Sequence, residues 1–255
     1  RTGGSLADVF QSDISFARHP GLMRIYGQAV PAPAAVTPQN AVRFPAGERS
    51  GLLTRAAMLM SGGHSENPII RGIHIRRDML CLTTPQPMGL PADALAPPLP
   101  DAQLTTRQRY ANKTVNPPCA GCHTLINPIG FALSRYNALG AFQPTEPIFD
   151  ATPAYAGELP TDGTAELRAA LGVDRTVNGG PELSEVVAQT SNLKACVSRH
   201  FFTYFNGLQE LPTTSSSCGM QRMFATLSAG GTLNDFFKSA ALDPRFRTRT
   251  LRSAP

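Results

Sequence analysis

The chain has 255 residues, 42% of them hydrophobic and 16% charged, with a mean hydropathy of −0.13. That mix can bury a core, which excludes global disorder, and no stretch approaches the ~20 apolar residues needed to span a bilayer. Twenty-three basic against 18 acidic residues give a formal charge of +5. No aromatic–basic module accompanies the excess, which argues against nucleic acid as a partner. The chain does not open on Met or on a charged-then-apolar leader, so Arg1 is expected to be a processed or truncated start.

Glycine (22) and proline (23) together make about one residue in six, which predicts irregular structure between short helices. Of the basic residues only Lys113, Lys194 and Lys238 are lysines. A guanidinium fork suits two-point pairing with carboxylate or phosphate, and a GC-rich genome would give the same bias. Arg245, Arg247, Arg249 and Arg252 read as a solvated basic tail.

In chain order, a short helix is expected near Leu22–Tyr26. The next helix is capped by Ser50, carries Leu52, Leu53, Ala56, Met58 and Leu59, and stops at Gly62-Gly63. Another opens at Asn67-Pro68, with Asn as cap and Pro in the first turn, and runs to about Cys81. Residues 82–104 hold six prolines and read as an extended strap. Downstream, a short helix is expected over 163–171 and a longer one from Pro181 through Phe205, ended by Asn206-Gly207. Leu211–Ser217 reads as a polar loop. Two last helices follow near Met220–Leu227 and Thr232–Leu242, the second with a Thr232…Asp235 capping box. No strand-like alternation and no repeat stands out, so the class is mainly α with long loops.

The strongest signal is Cys119-Ala120-Gly121-Cys122-His123. Cys-x-x-Cys-His is the spacing for c-type haem attachment. Two thiols one helical turn apart can form thioethers with the two vinyl groups of one haem, and the adjacent imidazole then serves as proximal iron ligand. A zinc site would need a second ligand pair, and a thioredoxin-type redox pair would sit beside a βαβ pattern; neither is present. A plain disulfide would not call for His123. Ser, His and Asp residues show no nucleophile-elbow signature.

The segment from Asn116-Pro117-Pro118 through Cys119–His123 to Asn127-Pro128-Ile129-Gly130-Phe131-Ala132-Leu133 resembles the haem segment of planctomycete-type cytochrome c proteins, large multidomain proteins also frequent in myxobacteria. The resemblance extends to Ser12–Tyr26 with Ser50–Thr54, to Pro68–Gly72 through Cys81 and the proline strap, and to Cys196–Phe205, Cys218 and Gly230–Phe246. It implies a cytochrome c-like helical haem domain with long Pro/Gly-rich loops and a C-terminal helical domain, at the end of a longer protein. The expected divisions are an upstream domain end or extended arm (1–50), the haem c-binding domain (51–150) and the C-terminal helical domain packed on it (151–255). Asn127, Ser134 and Asn137 stand where the family usually has Asp, Glu and Asp, and Lys113 falls about where a His is often seen. Fewer acids beside the haem would favour the reduced iron state. The family's activity is undefined, so the resemblance names a cofactor better than a reaction.

His123 leaves one axial position on iron, where Met suits electron transfer, His lowers the potential and an open site permits peroxide or oxygen chemistry. His64 and Met220 are the tentative distal ligands, with Met58, Met60 and Met223 as weaker options. Phe131 and Tyr136 are expected at the haem edge, with Phe142, and Arg71, Arg76 and Arg77 are candidate partners for the propionates. Cys196 and Cys218 lie on either side of a helix end and a Ser-rich loop and are expected to form a disulfide, leaving Cys81 odd. The resulting expectation is a one-haem c-type cytochrome, exported and therefore periplasmic or extracellular, carrying electrons to redox partners with an anionic surface. A haem peroxidase or oxygenase with a labile distal side, and a haem-stapled subunit of a larger extracytoplasmic assembly, are the alternatives.

Overall fold

The computed structural model describes residues 3–29, 37, 41–60, 66–84, 89–210 and 217–248. The first helix, α1 (Leu6–Gln11), starts at a capping box in which Ser5 and Asp8 satisfy each other's backbone N–H. A strand pair, β1 (Ile14–Ser15) with β2 (Val42–Arg43), brackets α2 (Pro20–Ile25), whose N-terminus is capped by His19. The apolar run after Ser50 is shorter than its pattern suggests: a 3₁₀ turn (Leu52–Thr54) leads into one turn of α3 (Ala56–Leu59). Asn67 caps α4 (Pro68–His74), and the chain widens into a π-type turn over Ile75–Met79.

Among its described residues the proline strap contains a single helical turn, α5 (Ala92–Leu95). It leads to α6 (Thr106–Thr114), opened by a Thr105–Gln108 capping box, and then to α7 (Ala120–Phe131). Where only helices were expected, two antiparallel hairpins follow. These are β3 (Thr145–Phe149) with β4 (Tyr155–Pro160), and β5 (Thr164–Glu166) with β6 (Thr176–Asn178), the latter enclosing α8 (Arg168–Leu171). The long helix expected from Pro181 is two: α9 (Gly180–Gln189) ends at Thr190, which caps α10 (Ser191–Asn206). The chain finishes with α11 (Cys218–Ser228), α12 (Leu233–Ala241), which has the expected Thr232–Asp235 box, and the short α13 (Pro244–Arg247).

One apolar cluster runs from Leu6 in α1 through Ile129 and Leu133 to Ala240 in α12. Helices α4 and α7 cross closely because glycines stand at the contact. A Cβ on Gly130 would lie 1.9 Å from the carbonyl oxygen of Pro68, and one on Gly72 would lie 2.5 Å from that of Ile126. This crossing fixes where the first turn of α7 sits.

Arginine has a role that the sequence did not disclose. Arg71, 1% exposed, donates to the carbonyls of Leu59, Leu133, Tyr136 and Asn137 at 2.6–3.1 Å and pairs with Glu66 at 3.3 Å. Arg76 donates to the carbonyls of Thr83 and Ala170, and buried Arg49 to those of Thr54 and Gly140. Loops rich in Gly and Pro leave carbonyls without ladder partners, and a five-donor fork serves several at once. Arg71 and Arg76 are therefore tied to the protein's own carbonyls, and Arg77 is exposed and paired with Asp78.

The disulfide corrects the expected pairing. Cys196 joins Cys81, 115 positions away, and Cys218 keeps an exposed free thiol. Cys81 follows the π-type turn after α4 and meets the middle of α10, so the odd cysteine is Cys218. Two residues 22 apart in sequence were separated by the way α10 packs back on the turn after α4.

Candidate cofactor site

The Cys-x-x-Cys-His motif forms the first turn of α7. The carbonyl of Cys119 accepts from the N–H of Cys122 at 3.2 Å and of His123 at 3.1 Å. Positions i, i+3 and i+4 share one helix face, so both sulfurs and the imidazole point the same way. All three side chains are half-buried, and the two thiols are not bonded to each other.

That face opens on a cavity of about 450 Å³. Its walls are largely apolar: Ile69, Ile70 and Ile73 from α4, Ile126 from α7, Leu90 and Leu95 from the strap, and Tyr110 from α6. The strap is thus one wall of the cavity. Lys113 is the one charged side chain among the described lining residues, and its ammonium donates to the carbonyls of Asp93 and Ala96 at 2.9 and 2.6 Å. Lysine therefore both pins the strap and brings the cavity its cation.

The donor chemistry separates a macrocycle from a bare ion. Among the described residues, the only group of three His, Cys, Asp or Glu whose donor atoms converge within 4.8 Å is Cys81, Cys196 and His200, and its two sulfurs are already bonded to each other. Cys119, Cys122 and His123 do not converge on one small ion. They line the edge of an apolar slot with a cation in its wall, which fits a flat apolar ring with thioether attachment points, an iron ligand below and anionic substituents.

His123 is held from behind. Its Nδ1 lies 2.9 Å from Asn127 Oδ1, Asn127 Nδ2 donates to Thr114 Oγ1 at 2.8 Å, and the Thr114 hydroxyl donates to the Tyr110 carbonyl at 2.7 Å. Neither Thr114 nor Tyr110 was singled out from sequence. The His123–Asn127 spacing of four on a helix was the available signal.

Other expected residues fall elsewhere. Tyr136 is fully buried under Arg49, its hydroxyl donating to the Glu48 carbonyl, and edge-on to Phe142. Phe131 packs beneath the Arg107 guanidinium. Neither is among the residues lining the cavity: Phe131 ends α7 and Tyr136 follows it, both past Ile126, the last residue of α7 to reach the cavity. Met220 is fully buried in the apolar cluster with Met223 and Leu227 and does not line the cavity. Met60 is exposed, and His64 lies outside the described residues.

Across the wall formed by Tyr110 and Pro97 lies a second cavity of about 420 Å³, faced by Glu66, Arg109 and Glu146. Burial pushes the Glu66 carboxyl up to about 8, against the opposing pull of the Arg71 guanidinium.

Fold and site together define a mainly helical chain with a Cys-x-x-Cys-His turn opening on an apolar slot. Residues 49–146 match the family model PSCyt3, described as a protein of unknown function (DUF1588), the planctomycete cytochrome c-type family. The match spans the stretch from Arg49 through α7 into β3, including every residue that lines the slot. No curated protein and no solved structure matches the chain.

Proposed function

We propose that this chain is a c-type cytochrome that carries one covalently attached haem and transfers electrons outside the cytoplasm. The observation that carries the reading is the Cys119–Cys122–His123 turn facing a largely apolar cavity of about 450 Å³. Cys119 and Cys122 would supply the two thioether sulfurs and His123 the proximal nitrogen. A haem held there supplies one-electron exchange between ferric and ferrous iron. The isoleucines of α4 and Ile126 of α7 would exclude water from a bound haem, and Lys113 would offer a partner to a propionate. The Cys81–Cys196 disulfide fits an oxidising compartment, and among the described residues no helix is long and apolar enough to cross a membrane. The net charge of +5 suits redox partners with an anionic surface.

Potentiometric titration of the protein exported from a host with cytochrome c maturation tests the role. A single reversible one-electron transition in the visible spectrum supports the carrier. A high-spin ferric protein that turns over peroxide would replace it with the haem enzyme.

A further inference from the structure

The chain from Tyr110 to His123 has a direction, and the direction fixes where the imidazole proton sits. The Tyr110 carbonyl can only accept, so the bond at 2.7 Å must be donated by the Thr114 hydroxyl. The second carbonyl within reach of that hydroxyl, Ala111 at 3.4 Å, is likewise an acceptor. Thr114 has then spent its proton and presents a lone pair, which only the amide NH₂ of Asn127 can satisfy, at 2.8 Å. The Asn127 oxygen is thereby turned to His123 Nδ1 at 2.9 Å, and an amide oxygen cannot donate. Nδ1 must carry the hydrogen, and Nε2 is left as a bare lone pair.

Reversing the amide would break this series at both ends. Asn127 would donate to Nδ1, Nε2 would keep its hydrogen and could not bind iron, and Thr114 would have to abandon the Tyr110 carbonyl. Thr114 is only 6% exposed, so water is a poor substitute partner. Thr114, the last residue of α6, bonds back to the i−4 carbonyl and thus acts as a polarity lock two hydrogen bonds away from the ligand it controls.

We infer that Thr114 and Asn127 are positioning residues that preset the Nδ1–H form of His123 and, through the neutral amide acceptor, set the basicity of the proximal ligand. The inference rests on the haem reading above. Outer-shell acceptors of this kind orient a ligating histidine and tune its donor strength, and a carboxylate acceptor draws the imidazole toward imidazolate more strongly than an amide does. Asn127 therefore holds His123 as a weaker donor than an aspartate in its place would.

The test uses the haem-loaded protein and four variants. Asn127→Asp should lower the reduction potential and Asn127→Leu should raise it. Thr114→Val should move it the same way as Asn127→Leu but by less, and Thr114→Ser, which keeps the hydroxyl, should restore the wild-type value. In the diamagnetic ferrous carbonyl form, the His123 Nδ1–H proton resonance should move upfield in Asn127→Leu. A merely structural role would shift the unfolding midpoint without sending the potential in opposite directions for Asp and Leu. Unchanged or same-direction potentials in protein that still carries covalent haem would overturn the inference alone. Absence of covalent haem from the wild type would overturn the cytochrome reading itself.

Discussion

Two cavities back onto the same wall, and they differ in the charged groups they hold. On one side of Tyr110, isoleucines, leucines and prolines leave a slot with one cation, Lys113, whose ammonium is occupied by strap carbonyls. On the other, Glu66, Glu146 and Arg109 stand among prolines, Leu104 and Ile148, with Arg71 behind Glu66 bonded to four carbonyls. Neighbours in sequence divide between them: Glu66 lines the charged cavity and Asn67 the slot. The polar side holds irregular chain together by satisfying its carbonyls. The apolar side presents shape, two thiols and an imidazole. Removing a group should therefore cost folding on one side and cofactor properties on the other.

The largest effect is expected at Arg71. Arg71→Met strips donors from four carbonyls and leaves the Glu66 carboxyl without its partner, so stability should fall by about 3–5 kcal/mol in urea denaturation. Adding Glu66→Gln should recover part of that loss, since the unpaired carboxyl goes with it. Full stability in the single variant would mean the carbonyl network is incidental.

Next comes the crossing of α4 and α7, the two helices that wall the slot. In Gly130→Ala the new Cβ meets backbone at 1.9 Å, so the helices must move apart, at roughly 3 kcal/mol. Haem loading should fall with the unfolding temperature in this variant. A variant as stable as the wild type would show that the crossing is looser than described.

Glu66 gives the polar side a pH signature. Its carboxyl is pushed up to about 8, above the ordinary value of 4.5, chiefly by burial. Between those values the native state holds a proton that the unfolded chain releases. This contribution is fully present below about 4.5 and disappears as pH rises through about 8. Stability should decline by up to about 1.4 kcal/mol per pH unit in that window. Glu66→Gln should flatten the slope; an identical slope in both proteins would assign it to other groups.

The smallest effect belongs to the apolar side. Lys113→Met should change global stability by less than about 1 kcal/mol, because the ammonium is half-exposed and holds only the strap. It should instead alter the visible spectrum or potential of the loaded protein. A large stability loss with an unaltered spectrum would reverse the contrast between the cavities.

What could be read in advance follows the range of the interactions. The motif turn of α7, the Asn67 cap and the Thr232–Asp235 box depend on residues within one helical turn, and all three are as expected. The hairpin β3–β4 was hidden because its alternating buried positions are Glu146 and Ile148 with Pro147 between them, which does not look like a strand face. Helix α6 carried a legible Thr105–Gln108 box that the adjoining prolines obscured. Cys196 chose a partner 115 positions away because tertiary packing brings α10 to the turn after α4. Arg71 looked like an anion partner, since nothing local reveals that four distant carbonyls will surround it. Asn127 stood out only as an amide in place of an acid, although its helical spacing from His123 already placed the two on one face.

The central claim is that Cys119, Cys122 and His123 anchor a covalent haem in the apolar slot. Intact-mass spectrometry of the exported protein, paired with a pyridine haemochrome spectrum, measures it most directly. One haem per chain is expected, surviving denaturation and lost in the Cys119→Ser, Cys122→Ser double variant. A chain of unmodified mass with free thiols at both positions, from cells that mature other c-type cytochromes, would contradict it.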